Sequence, residues 1–181
     1  MQQQQGNAEF AQYLYARFRE VDADGDGRVT ADELQTALAA LGYSMFNTET
    51  CRLLVNLHDF DQNGSIDFSE FSSMWNYLVS WHGIFRTFDV DGNGSIDSSE
   101  LQRALLTFGY NVTKELVDVL VKKYDRYGTT SQGSITFDSF IQCCVTIRAL
   151  TDSFRRFDSD NDGWITLNYN DYISLVMTNR P

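Results

Sequence analysis

Basic residues are scarce in this chain: 14 Lys and Arg stand against 25 Asp and Glu, for a net charge of -11. That imbalance excludes nucleic acid as an expected partner, because phosphate binding is driven by Lys and Arg displacing counterions. Cysteine is also sparse. Cys51, Cys143 and Cys144 are odd in number, two are adjacent, and none shows the C-x-x-C spacing of a thiolate metal site. They read as small buried hydrophobes in a reducing compartment. Histidine is limited to His58 and His82. His58 follows Cys51 by about two helical turns, and two helix residues on one face explain that spacing better than a nucleophilic pair. No enzyme is expected.

Long apolar runs are missing as well. None approaches the roughly 18 residues needed to cross a bilayer, and no charged-then-apolar leader is visible. The opening MQQQQGNAEF is polar, and residues 1–8 are expected to form a disordered tail.

What the chain does hold is acid, in clusters rather than spread over helix faces. DADGDGRVTADE (22–33), DFDQNGSIDFSE (59–70) and DVDGNGSIDSSE (89–100) share Asp at positions one and three, Asp or Asn at five, Gly at six, an aliphatic at eight and Glu at twelve. A hard cation takes six to eight oxygens at roughly 2.3 to 2.6 Å, and a loop of this kind wraps them round the ion. These are EF-hand loops, and Ca²⁺ is the expected ion. In the first, Asp22, Asp24 and Asp26 supply side-chain oxygens, Arg28 its carbonyl, Thr30 a water-mediated contact and Glu33 both carboxylate oxygens. The second repeats this with Asp59, Asp61, Asn63, the Ser65 carbonyl, Asp67 and Glu70, and the third with Asp89, Asp91, Asn93, the Ser95 carbonyl, Asp97 and Glu100. One such loop could be an Asx-turn or a helix cap; three full matches remove that reading.

Two further loops are degraded. YDRYGTTSQGSITFDSF keeps Asp125 and Gly133-Ser134-Ile135 but has extra residues between them and Ser139 where Glu is expected, so it should hold no metal. DSDNDGWITLNYND keeps Asp158, Asp160, Asp162 and the Trp164 carbonyl, yet position twelve is Tyr169. Weak binding is expected there, with Mg²⁺ as an alternative ion.

The first positions fall at 22, 59, 89, 125 and 158. Steps this short leave no room for separate helices throughout, so hands two and three share one helix, from about Phe68 to Phe88, and hands four and five share another, from Phe137 to Phe157. Apolar residues at helical spacing flank the first loop, with Phe10, Leu14, Phe18 and Val21 before it and Leu34, Ala37, Leu38 and Leu41 after it. The expected fold is all-α: a single domain over 9–181, with hands near 10–41, 47–78, 72–108, 113–145 and 140–178. Each loop also carries one strand residue at position eight, namely Val29, Ile66, Ile96, Ile135 and Ile165. A strand this short is unstable alone. Hands one and two can pair, as can three and four, and the fifth is left over. A second copy is its expected partner, with Ile165, Tyr172, Ile173, Val176 and Met177 across a two-fold axis.

The segments FRTFDVDGNGSIDSSELQRALLTFGY (85–110) and FIQCCVTIRALTDSFRRFDSDNDGWI (140–165), with the order of hands and the shared helices, make the chain resemble the penta-EF-hand family, most nearly its apoptosis-linked-gene-2 subgroup. The resemblance covers nearly everything after residue 10. It implies a cytosolic, dimeric calcium sensor that docks onto Pro-rich segments of trafficking and membrane-repair scaffolds, with calcium-dependent membrane association as a further option. Trp75, Trp81, Phe108 and Tyr110 are the candidates for lining an apolar peptide groove, although an aromatic at helical spacing is more often core. Alternative readings are a regulatory subunit paired to a calpain-like protease, and a plain calcium buffer. The chain departs from the subgroup in its short Gln-rich tail, in a fully liganded second loop, and in Asn111 where a basic residue is expected.

Overall fold

The structure is a computed structural model that describes residues 2–40, 46–125 and 133–178. Leu41 and the extra residues of the fourth loop lie outside the described residues. Eight helices follow one another: α1 (Gln2–Val21), α2 (Ala31–Ala40), α3 (Thr48–His58), α4 (Phe68–Phe88), α5 (Ser98–Thr107), α6 (Lys114–Tyr124), α7 (Phe137–Arg155) and α8 (Tyr169–Thr178). Among the described residues there is no sheet; the extended backbone is limited to two isolated bridges, Val29 with Ile66 and Ile96 with Ile135.

α4 occupies the range expected for the first shared helix. It starts where Asp67 caps it: the Asp67 carboxylate accepts from the Glu70 N–H at 2.9 Å, and Glu70 accepts in return from the Asp67 N–H at 2.9 Å. This capping box satisfies donors that the first helical turn leaves without partners. Phe71, Met74 and Phe85 project from α4 into the core and are buried. Phe18 of α1 meets Phe71 at 5.4 Å, while Phe137 and Phe140 of α7 meet Phe85 at 5.4 and 5.6 Å, all nearly edge-on. Aromatic pairs favour this geometry over face-to-face stacking. α4 therefore joins the helices of hands one and two to those of hands three and four.

The bridges close each pair of loops. Val29 and Ile66 exchange N–H···O bonds of 2.8 and 2.9 Å, as do Ile96 and Ile135, and all four side chains are fully buried. The strand residue of the fifth loop, Ile165, makes no bridge among the described residues.

Three expectations are corrected. α1 begins at Gln2, so residues 2–8 continue a helix instead of forming an unstructured tail; Gln is a good helix former, and the same helix runs on to the buried Leu14, Phe18 and Val21. Phe10 is largely exposed, whereas Leu14, Phe18 and Val21 are buried. α7 stops at Arg155 rather than Phe157, because its last turn tightens, with Arg156 N–H bonding the Ser153 carbonyl and Phe157 N–H that of Phe154. No helix is long and apolar enough to cross a membrane among the described residues.

Candidate metal centres and apolar cavities

Each of the first three loops is organised by its closing glutamate before any ion is considered. Glu33 Oε1 accepts from the Ala23 N–H at 3.1 Å, and Oε2 from the Thr30 N–H at 2.9 Å. Glu70 does the same with Phe60 at 2.8 Å and Asp67 at 2.9 Å, and Glu100 with Val90 at 2.8 Å and Asp97 at 3.1 Å. The position-twelve carboxylate thus ties position two to position nine and draws the loop into a ring. At the other end the position-one aspartate accepts from the glycine N–H at position six: Asp22 from Gly27 at 3.0 Å, Asp59 from Gly64 at 2.8 Å, Asp89 from Gly94 at 3.0 Å.

The result is a concentration of carboxylates. Oxygens of Asp22, Asp24 and Glu33 lie within 4.8 Å of one another, as do those of Asp59, Asp61 and Glu70, of Asp89, Asp91 and Glu100, and of Asp158, Asp160 and Asp162. Like charges this close repel, and a divalent cation is the natural counter-charge. In loop one Asp22 Oδ1 is buried with no hydrogen-bond partner. A buried polar atom rarely stays unsatisfied, and a cation in the ring would satisfy it, so the residues fit the metal. Asp26 is not part of that cluster; its Oδ1 accepts from the Arg28 N–H at 2.8 Å. Burial pushes the Glu33 carboxyl up, but hydrogen bonds from Thr30, Ala23 and Asp24 outweigh it and leave the group below its ordinary value. Asp97 behaves likewise through Glu100 and Ser99.

One requirement of the loops was missed in the sequence. Position four adopts left-handed backbone in loops one, two, three and five: Gly25 (φ 74), Gln62 (φ 58), Gly92 (φ 68) and Asn161 (φ 58). The glycines in loops one and three were the available signal, since only residues without a Cβ take this conformation freely.

The fourth loop is built differently. Ser139, at the closing position, is buried with no partner for its hydroxyl. The neighbouring Asp138 accepts from Asn47 Nδ2 at 2.9 Å and from the Thr136 hydroxyl at 2.5 Å. A Cβ on Gly133 would meet the Val121 side chain of α6 at 3.0 Å, so this glycine lies directly against that helix. The fifth loop keeps the first half of the ring, with Asp158 accepting from Gly163 at 3.1 Å and Asp162 from Trp164 at 2.7 Å. Its second half is displaced. Helices α2, α4 and α5 begin at position ten of their loops, whereas α8 begins at position twelve, Tyr169, which is exposed. Asn168 takes over the capping role and accepts from the Asp171 N–H at 3.0 Å.

The four candidate groove aromatics do not share a groove. Trp75 lines a cavity of about 140 Å³ with Leu38, Phe46, Leu78, His82 and Phe137. Trp81, Phe108 and Tyr110 line another of about 740 Å³ with His58, Tyr77 and Arg148. Six positions apart on one helix place the two tryptophans about 120° apart round its axis. The expected dimer residues Tyr172, Ile173, Val176 and Met177 are exposed, Ile165 is half-buried, and no described side chain of α8 is buried. Cys51 and Cys143 are buried, and burial pushes both thiols up to about 12. That removes the thiolate a nucleophilic Cys51 would need.

Helix–loop–helix units, three of them with a carboxylate ring closed by glutamate, define an EF-hand calcium-binding protein. Models of the EF-hand domain pair match residues 25–77 and 79–144. Mouse sorcin is 45% identical over 91% of this chain and 82% of its own length, and mouse peflin 36% identical over 90% of this chain and 58% of its own. A solved structure described as a homolog of programmed cell death 6 protein from Leishmania major Friedlin superposes with a TM-score of 0.77 at 30% identity, covering 92% of this chain and 94% of that one. The chain belongs to the penta-EF-hand family, near its apoptosis-linked-gene-2 subgroup.

Proposed function

We propose that the chain is a calcium sensor that pairs through its fifth hand and, when loaded, presents an apolar groove to Pro-rich target peptides. The side chains of Asp22, Asp24, Asp26, Asp59, Asp61, Asn63, Asp89, Asp91 and Asn93, the carbonyls of Arg28, Ser65 and Ser95, and the carboxylates of Glu33, Glu70 and Glu100 hold Ca²⁺ in loops one to three. Asp158, Asp160, Asp162 and the Trp164 carbonyl hold the fifth site weakly, for Ca²⁺ or Mg²⁺. Bound calcium would supply the charge that offsets the repulsion among the carboxylates of each ring. The chain's own response is movement of the helices that enter and leave the ring.

The observation that carries the adaptor reading is the cavity of about 740 Å³ walled by Trp81, Phe108 and Tyr110. Aromatic faces suit the rigid extended helix of Pro-rich peptides. Calcium titration against a fluorescent Pro-rich peptide tests it: affinity should rise at least tenfold with calcium, and binding indifferent to calcium sinks the reading. An apolar dye that sees no new surface on calcium binding would leave a plain buffer.

Pairing rests on a separate observation, the unbridged Ile165 beside an α8 whose apolar face is exposed. A homodimer is the economical occupant of that edge; heteropairing with another penta-EF-hand chain, including that of a calpain-like protease, uses the same face. Light scattering on the purified chain separates the two. A stable homodimer, lost on Ile165→Asp, supports self-pairing. The proposed setting is the cytoplasm, with calcium-dependent recruitment to membranes.

A further inference from the structure

An unbroken run of ring contacts crosses the Trp81 cavity from the second calcium loop to the third. It starts at Glu70, whose Oε1 accepts from the Phe60 N–H at 2.8 Å and so fixes position two of loop two. The Phe60 ring meets His58 at 6.4 Å, His58 meets Tyr77 at 5.2 Å, Tyr77 meets Trp81 at 5.9 Å, Trp81 meets Phe108 at 6.1 Å, and Phe108 meets Phe88 at 5.7 Å. All are inclined by 61° or more, the edge-to-face arrangement that aromatic pairs favour. The two ends are placed for sensing: His58 directly precedes Asp59, the first acid of loop two, and Phe88 directly precedes Asp89, the first acid of loop three. His58 is held rather than loose. It is 6% exposed, and its Nδ1 lies 2.9 Å from the Leu54 carbonyl, so this nitrogen carries the proton and the ring is anchored to the last turn of α3.

We infer that loop two is a second calcium input to the Trp81 cavity, transmitted through His58 and Tyr77, so that the groove reports the joint filling of loops two and three. This rests on the reading of that cavity as the peptide groove. A cation in loop two competes for the Glu70 carboxylate that already holds the Phe60 N–H, so filling the loop shifts the Phe60 backbone and the end of α3 together, and His58 rides on that end. Filling of loop three, where Glu100 holds the Val90 N–H in the same way, acts at the other wall through Phe88 and Phe108. Trp81 is the ring both reach. Two inputs biasing one element are coupled, and coupling of this kind is demonstrated by a mutant cycle, not by adjacency.

The test uses the full chain with Trp75→Phe and Trp164→Phe, which leaves Trp81 as its only tryptophan. Calcium is titrated without peptide while Trp81 emission is followed, and calorimetry counts filled sites. Glu70→Gln should cut the Trp81 amplitude at least twofold, and Glu100→Gln should do so independently. His58→Ala should remove the loop-two component with the number of filled sites unchanged, and combining it with Glu70→Gln should add no further loss. Tyr77→Leu interrupts the same run one ring later and serves where His58→Ala fails to fold. A Trp81 response untouched by Glu70→Gln, or one that keeps its loop-two component in Tyr77→Leu, overturns the inference. Failure of Pro-rich peptides to bind a chain whose Trp81 shows both inputs would instead overturn the adaptor reading and leave the coupling standing.

Discussion

Asn47 and Asp138, 91 positions apart, are joined by a 2.9 Å hydrogen bond from the Asn47 amide to a fully buried carboxylate. Asn47 also caps α3, with its Oδ1 accepting from the Thr50 N–H at 3.0 Å. One side chain therefore starts the incoming helix of hand two and pins it to the second helix of hand four. Asp138→Ala takes this acceptor from the half-buried Thr136 hydroxyl and leaves Asn47 Nδ2 with only its 3.1 Å bond to Thr50 Oγ1, which costs about 1 kcal/mol. Urea unfolding should show a midpoint lowered accordingly, with Asp138→Asn less affected.

Loss of a closing carboxylate should act chiefly on calcium, with a smaller cost to the loop that the carboxylate draws together. Glu33→Gln, or Glu100→Gln in the same way, removes a charge and the two-oxygen grip from its own ring, and the affinity of that loop should fall about a hundredfold, from sensor range toward millimolar. Calorimetry on each variant checks this. The unaltered loops should keep their affinity to within a few-fold.

Gln62 sits in left-handed backbone at φ 58, where loops one and three use glycine. A left-handed L-residue costs roughly 1–2 kcal/mol, part of which glycine gives back as chain entropy. Gln62→Gly should therefore stabilise the second loop by about 0.5–1 kcal/mol. Thermal unfolding in calcium is the measurement, and an unchanged or lowered midpoint would contradict it.

Acid should weaken the ion-free chain in a defined direction. Glu33 and Asp97 both lie below their ordinary values of 4.5 and 3.8 in the folded protein. Groups depressed on folding contribute stability at pH above the ordinary values and lose it as pH falls through the lower folded ones. Stability measured in chelator should hold from pH 7 down to about 5 and decline below roughly 4.

The parts visible in the sequence were those where chemistry dictates spacing. A cation's need for oxygens on alternate residues wrote Asp22-Asp24-Glu33 and its two repeats plainly, and the apolar period ran unbroken through α4 from Phe68 to Phe88. Orientation about a helix axis was harder. Trp75 and Trp81 look alike at helical spacing, yet their rings face different cavities. The displaced start of α8 was hidden because Asn168 and Tyr169 sit where a Glu-closed loop has other roles, and only the hydrogen bond from Asp171 shows the cap has moved. Residues 2–8 were read from polarity alone, which does not distinguish a coil from the solvated end of a helix.

The buried Ser139 gives the third and fourth hands unequal duties. With a small hydroxyl where its neighbours carry a carboxylate, the fourth hand has no closing group to swing, and its Ile135 holds Ile96 through two hydrogen bonds. The third hand is thus tied to a partner that brings no carboxylate of its own to the pair's calcium chemistry. The first and second hands are joined by the same kind of bridge, Val29 with Ile66, but each carries its own closing glutamate.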